Sequence, residues 1–132
     1  MTGKEAGKVP VTFAKGLLDD VAELTETTAR DAQASKNEAE ALKRRIAELL
    51  VECKDNPFIG ELMGSGLHSE LAKCRRVRFD IPTYKGKPRF RLIYRNDPTD
   101  GGPAECHWLT IAPRAGLQAH RRARQRSQRE SP

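Results

Sequence analysis

The chain has 132 residues, with 24 Lys or Arg against 18 Asp or Glu, which gives a net charge of +6. This length limits the chain to one domain with a modest core and excludes the large folds of most metabolic enzymes. The charge is uneven: residues 1–70 carry 9 basic against 13 acidic side chains, whereas residues 71–132 carry 15 against 5. Twelve of those 15 are arginines, whose planar guanidinium suits phosphate, so the second half is the expected surface for a polyanion. A coding bias that replaces Lys by Arg on any solvated surface is the alternative explanation.

The three cysteines, Cys53, Cys74 and Cys106, are widely spaced and form no C-x-x-C pair. They therefore predict neither a disulfide framework nor a zinc site, and no other cofactor is indicated. No apolar run approaches the roughly 18 residues of a membrane span, and the first residues lack the hydrophobic region of a signal peptide. We expect a soluble cytoplasmic protein with no membrane partner.

The first half predicts one strand and two helices. Residues 9–13 alternate apolar and polar side chains, as in a short strand, which is an edge strand if Pro10 lies inside it. Residues 17–55 contain neither Gly nor Pro and follow helical spacing. The capping-box pattern from Ser35 to Glu38 starts a second helix, which favours a helical hairpin over one rod, and Pro57 ends that helix.

The second half predicts a turn-rich link at 57–66, a turn of helix at 67–71 and then three strands. The strands are expected at 73–80, 89–96 and 105–112. Their short connections favour an antiparallel meander. The predicted fold class is α+β, an N-terminal helical hairpin packed on a small antiparallel sheet, followed by a short basic C-terminal helix or tail. We expect residues 1–8 to be flexible, 9–124 to form one domain, and 125–132 to be a disordered basic tail.

Arginines follow the two-residue period of the middle two strands. Arg76 and Arg78 share one face about 7 Å apart, which matches the spacing of adjacent phosphates. On the next strand, Arg89, Arg91 and Arg95 share a face with Ile93. The apolar set Phe90, Leu92 and Tyr94 points the other way, toward the helices. The prediction is a phosphate-binding face on the open side of the sheet.

Over roughly residues 9–124 the chain resembles the RelE/ParE superfamily of bacterial type II toxins. The segments that carry the resemblance are Asn56-Pro57-Phe58, Cys74 to Phe79, Phe90-Arg91-Leu92-Ile93-Tyr94, and Leu109-Thr110-Ile111-Ala112-Pro113-Arg114. In the ribosome-dependent RNases of this superfamily, two basic residues precede an R-L-x-Y strand, and they match Arg76 and Arg78. The arginine of R-L-x-Y matches Arg91. The arginine that closes the last strand matches Arg114, and the aromatic or histidine six residues later matches His120.

The resemblance implies an mRNA endoribonuclease toxin that acts on the translating ribosome and is neutralised by a cognate antitoxin, as a possible homodimer or a heterotetramer with that antitoxin. Its chemistry would be attack of a ribose 2′-hydroxyl on the adjacent phosphorus. Arg76, Arg78 and Arg91 would then hold the phosphate, and Arg114 would stabilise the leaving oxygen. His120 would transfer a proton or stack on a base, while Arg89 and Arg95 would add phosphate contacts.

One departure from the family pattern concerns the base. The best-known subtype has lysines at the positions of Arg76 and Arg78, and an arginine stays protonated, so it is a poor general base. Proton transfer would then depend on His120, with Glu70 or Asp80 as a carboxylate partner. His120 could instead be an exposed residue on a basic tail.

Two other functions stay open. One is a ParE-like DNA gyrase inhibitor, which has the same fold and no RNase site. The other is a catalytically silent RNA-binding accessory protein, which the Arg-for-Lys departures favour. His68 and His107 are expected to be structural, because neither falls on the motif, and Trp108 is expected in the core.

Overall fold

The structure is a computed structural model, and it describes residues 9–30, 36–64, 71–114, 116 and 118–129. The elements, in chain order, are β1 Val11–Phe13, α1 Leu17–Arg30, α2 Lys36–Asp55, β2 Glu61–Leu62, β3 Cys74–Phe79, β4 Phe90–Thr99, β5 Gly102–Pro113 and α3 Gln118–Arg129. None of the described helices has both the length and the apolar composition needed to cross a membrane.

The five strands form one mixed sheet in the order β1-β5-β4-β3-β2. Strands β2 to β5 pair antiparallel, whereas β1 pairs parallel with β5, Val11 lying beside Cys106. The expectation of an entirely antiparallel sheet is therefore wrong at this edge. The chain passes through both long helices between β1 and the other strands, so no tight turn forces β1 to run opposite to its neighbour. Strand β2 was also missed, because it is only two residues long within the turn-rich link.

The main core lies between the sheet and the helical hairpin of α1 and α2. Phe90, Leu92 and Tyr94 face these helices, as their alternation in the sequence predicts, and Trp108 is 1% exposed in the same core. Helix α2 ends at Asp55, as Pro57 predicts. The Tyr94 hydroxyl lies 2.9 Å from the carbonyl oxygen of Pro57 and 2.8 Å from that of Ile59, and its single proton is shared between them, which ties the link after α2 to the middle of the sheet.

Helix α3 lies across the opposite face of the sheet. Ala119 and Ala123 of α3 are buried in a second apolar cluster with Ile93 and Leu109. The prediction that this face of β4 is open is therefore wrong: Arg91 and Arg95 are only 7% and 8% exposed.

The remaining expectations concern the chain ends and the loops. Residues 1–8, Ser35 with its capping bond, and the segment 65–70, which includes His68 and Glu70, lie outside the described residues. We expected disorder from residue 125, but α3 continues to Arg129, and 130–132 also lie outside the description. His107 is buried, with its Nδ1 2.7 Å from the Thr12 hydroxyl, an arrangement that fits the structural role expected for it.

Candidate phosphate-binding site

Arginines of β3 and β4 lie side by side on the α3 face of the sheet. Arg78 is directly opposite Arg91, and Arg76 is opposite Ile93, so the strand register brings together the three predicted cations. The side chains of Arg76 and Arg78 are 23% and 49% exposed, whereas Arg91 lies beneath the surface. We call Arg76, Arg78 and Arg91 the arginine cluster.

Glu61, on strand β2, is an acidic member of this surface that the sequence analysis missed. Its carboxylate accepts hydrogen bonds from the Arg76 guanidinium and lies 3.8 Å from the Arg78 guanidinium. The bond to Arg76, followed by the charge of Arg76, holds the pKa of Glu61 below its ordinary value. Glu61 therefore already supplies these two arginines with an anionic partner. The only sequence signal was its place directly after Gly60, a glycine whose φ is +81°.

Arg91 is the least satisfied charge in the cluster. Its Nε is buried and has no hydrogen-bond partner. Burial lowers the pKa of Arg91, and the positive charges of Arg76, Arg78 and Arg114 lower it further. An anion placed here would relieve both the unpaired nitrogen and the mutual repulsion of the cations.

His120 lies on the first turn of α3 and is 5% exposed. The Nη1 of Arg91 is 3.1 Å from Nδ1 of His120. Because a guanidinium can only donate, Nδ1 must be the acceptor, which places the proton of the neutral imidazole on Nε2. In this arrangement the Nδ1 lone pair is committed to Arg91. His120 is therefore part of the site, and not an exposed residue on a basic tail.

Arg114 and Arg91 line a cavity of about 670 Å³ beside the cluster. The cavity lies between the C-terminal end of α1 and the adjoining ends of β4 and β5. Its lining residues are Thr27, Thr28, Lys87, Pro88, Arg89, Phe90, Arg91, Pro113, Arg114 and Gly116. Four of these are cations and none is a carboxylate, so the cavity favours an anionic or polar guest.

Arg89 and Arg95, also predicted to bind phosphate, are engaged elsewhere. Arg89 makes a paired contact with Asp80, with N–O distances of 2.9 Å, and stacks on Tyr84 at 3.9 Å. Arg95 bonds to Asp97 at 2.9 Å and also donates to Ser127 of α3. Each is thus neutralised within the fold.

Asp80, suggested as a partner of His120, is instead committed to the turn between β3 and β4. Burial by itself would raise the pKa of Asp80, but the Arg89 side chain and the backbone amides of Ile81 and Arg89 together lower it below its ordinary value. It therefore stays a carboxylate that closes this turn. Within the described part of the chain, no three His, Cys, Asp or Glu side chains are grouped so as to hold a metal ion.

Comparison with known proteins gives a fold and no close relative. No protein-family model matches the chain, and no curated protein matches it. Among solved structures, it is similar to a double arginine-to-alanine mutant of the E. coli toxin RelE in its free state, with a TM-score of 0.52 and 15% sequence identity. That similarity covers 93% of this chain and 98% of the other. The chain therefore has a RelE-like fold.

Proposed function

Taking the RelE-like fold as the premise, we propose that this protein is the toxin of a type II toxin–antitoxin system and cleaves mRNA on the ribosome as an endoribonuclease. The observation that carries the proposal is Arg91, a buried cation with an unpaired Nε that contacts His120 beneath two more accessible arginines. A cation held at a cost to the fold, next to a group that can transfer protons, fits a site for a reacting phosphate.

In the proposed reaction, the ribose O2′ attacks the adjacent phosphorus. The O2′–P bond forms as the P–O5′ bond breaks, the 2′-hydroxyl proton passes to a base, and the 5′-oxygen takes up a proton. The products are a 2′,3′-cyclic phosphate and a 5′-hydroxyl end. The arginine cluster would hold the non-bridging oxygens, where negative charge develops, and Arg114 would face the leaving 5′-oxygen from the adjoining cavity.

The Arg91–His120 hydrogen bond connects substrate binding to proton transfer. In the free protein the Nδ1 lone pair accepts from Arg91, so His120 is not available as a base at that nitrogen. A phosphate competes for the same guanidinium, because a charge-assisted bond to an anion is stronger than one to a neutral imidazole. Substrate binding would thereby release Nδ1 to accept the 2′-hydroxyl proton.

A matched pair of histidine variants tests the nuclease. Wild type, His120→Gln and His107→Gln are induced separately in a bacterial host, and new 5′ ends are mapped on a translated reporter mRNA. We expect cleavage within codons for wild type and His107→Gln, and a loss of roughly 100-fold or more for His120→Gln, the scale of general acid–base catalysis. His107 is the control because it is also buried and lies outside the arginine cluster.

The same experiment separates the alternatives. Growth arrest without cleavage would favour gyrase inhibition, and RNA binding with neither arrest nor cleavage would favour the silent accessory protein. Equal cleavage by wild type and His120→Gln would remove His120 from the mechanism. We further propose that the partner of this protein is a cognate antitoxin. Co-expression of an acidic protein from a neighbouring reading frame should then abolish the growth arrest, and the two proteins should co-purify.

A further inference from the structure

Helix α3 carries His120, yet little apolar surface holds this helix against the sheet. Among its described residues, the buried apolar ones are Ala119 and Ala123, each contributing a single methyl group. Methyl groups bury little area, so they define the position of a helix weakly. The orientation of α3 must therefore depend on its polar contacts.

The principal polar contact is with Asp20, near the start of α1 and 4% exposed. Its Oδ1 accepts from Arg122 at 3.0 Å and from Arg126 at 3.2 Å, and its Oδ2 accepts from Arg126 at 2.6 Å. Oδ2 also accepts from the Thr110 hydroxyl at 2.7 Å, which ties the carboxylate to β5. One buried carboxylate thus joins α1, the sheet and α3.

The surroundings of Asp20 are shaped around Arg126. Arg126 also donates to the carbonyl of Leu109 at 2.8 Å, so its guanidinium contacts the backbone of β5 as well as Asp20. Gly16 has φ +96°, and a Cβ at this position would lie 2.9 Å from Arg126 Nη2. The chain before α1 therefore leaves space that this guanidinium fills.

We propose that Asp20 is a positioning residue that holds α3 in register and thereby places His120 against Arg91. Arg122 and Arg126 lie two and six residues after His120, within the next two turns of the same helix, so the ion pairs hold the part of α3 that directly follows the imidazole. His120 and the two arginines leave α3 in different directions, and fixing the arginines on Asp20 sets the rotation of the helix. This inference rests on the proposed function for its catalytic consequence, but not for its structural one.

The structural consequence is tested first, by a measurement that does not depend on enzymatic activity. In Asp20→Asn, backbone amide hydrogen exchange in α3 should accelerate by about tenfold or more, the factor expected when a charged hydrogen bond is lost. Exchange in the middle of β4 and β5 should stay at the wild-type rate. Arg126→Gln should produce the same local change if Asp20→Asn does not fold. Arg121→Gln is the control, because it removes a positive charge from α3, as Arg126→Gln does, but from an exposed position.

The catalytic consequence is tested by cleavage of mRNA bound to purified ribosomes over a range of toxin concentrations. Asp20→Asn should lower the rate at saturation by about tenfold or more. The half-saturating concentration should hardly change, because Arg76 and Arg78 are on β3 and keep their places. In a His120→Gln background, Asp20→Asn should not lower the cleavage rate further, because Asp20 acts on the rate by positioning the imidazole.

The outcomes distinguish the two proposals. Faster exchange in α3 without cleavage by wild type would support the positioning role of Asp20 and count against the nuclease. Wild-type exchange rates in α3 of both Asp20→Asn and Arg126→Gln would overturn the positioning role, whatever the activity. An Asp20→Asn effect that is equally large with and without His120 would overturn it too, since it would be a general loss of structure.

Discussion

Arg91 should make the free protein less stable than an apolar side chain of similar length would. In Arg91→Met, a buried guanidinium nitrogen without a partner is removed, which relieves about 1–3 kcal/mol, but the buried Nδ1 of His120 loses the Arg91 donor, which costs up to a similar amount. Relief of repulsion from Arg76, Arg78 and Arg114 adds to the gain. Because the two hydrogen-bond effects nearly cancel, the relief of repulsion decides the sign, and we expect the free energy of unfolding to rise by about 1 kcal/mol.

The measurement is urea denaturation at neutral pH and low ionic strength, with Arg95→Met as the matched control. Arg95 is buried to the same extent and on the same strand, but it is paired with Asp97. Removing one partner of a buried pair leaves the other charge unpaired, so Arg95→Met should lose about 3–5 kcal/mol. Two identical side-chain replacements on one strand are thus expected to change stability in opposite directions.

Inorganic phosphate provides the second arm of this experiment. An anion that binds the arginine cluster stabilises the folded state, by about 2.7 kcal/mol at one hundred times its dissociation constant. Wild type should gain stability in phosphate beyond the gain in chloride of equal ionic strength, and Arg91→Met should gain much less. A loss of stability in Arg91→Met comparable to that in Arg95→Met would refute the reasoning, since it would show that Arg91 is a satisfied structural residue.

Three further variants test the surroundings of the site. Glu61→Gln should free Arg76 to make one added phosphate contact with a single-stranded RNA. The plot of log affinity against log salt concentration, measured by fluorescence anisotropy, should then become steeper by about 0.7. An unchanged slope would mean that Glu61 does not compete with phosphate. Because the pKa of Asp80 is lowered in the folded state, its bond to Arg89 stabilises the protein above the unfolded pKa of about 3.9, and this stability is lost as the pH falls through the folded value. Asp80→Asn should therefore lower the free energy of unfolding by about 1.5–3 kcal/mol at pH 7 and by almost nothing in strong acid. Thermal unfolding of both proteins across this pH range measures the difference, and a difference that does not change with pH would contradict the Asp80–Arg89 pair as its cause. Tyr94→Phe should lose about 1 kcal/mol of unfolding free energy in urea denaturation, because the Ile59 carbonyl loses the hydroxyl donor, whereas the Pro57 carbonyl keeps the side-chain amide of Asn96. An unaltered midpoint would show that another donor replaces the hydroxyl.

Much of the fold could be predicted because its causes are local. Pro57 ends α2 at Asp55, and the two-residue period of β4 separates Phe90, Leu92 and Tyr94 from the arginines. These features depend on the backbone restrictions of proline and on the alternation of side chains along a strand, which a few neighbouring residues determine.

The surroundings of the site could not be predicted in this way. Glu61 reaches Arg76 through a two-residue strand with no periodic pattern. Arg95 pairs with Asp97, which lies just beyond residue 96, the predicted end of its strand, but inside β4 in the structure. The sequence therefore indicated which residues carry charge, but not which of those charges are neutralised.

By itself, the sequence determined that the second half carries an arginine-rich face and that Arg76, Arg78, Arg91, Arg114 and His120 match a family pattern. Only the tertiary structure decided that α3 covers part of this face, that Arg91 is buried with an unpaired nitrogen, and that Asp20 holds the helix that carries His120. The physical reason is the range of the interactions. Strand faces follow from adjacent residues, whereas the Asp20–Arg122 pair joins positions 102 residues apart, and only the folded chain brings them together.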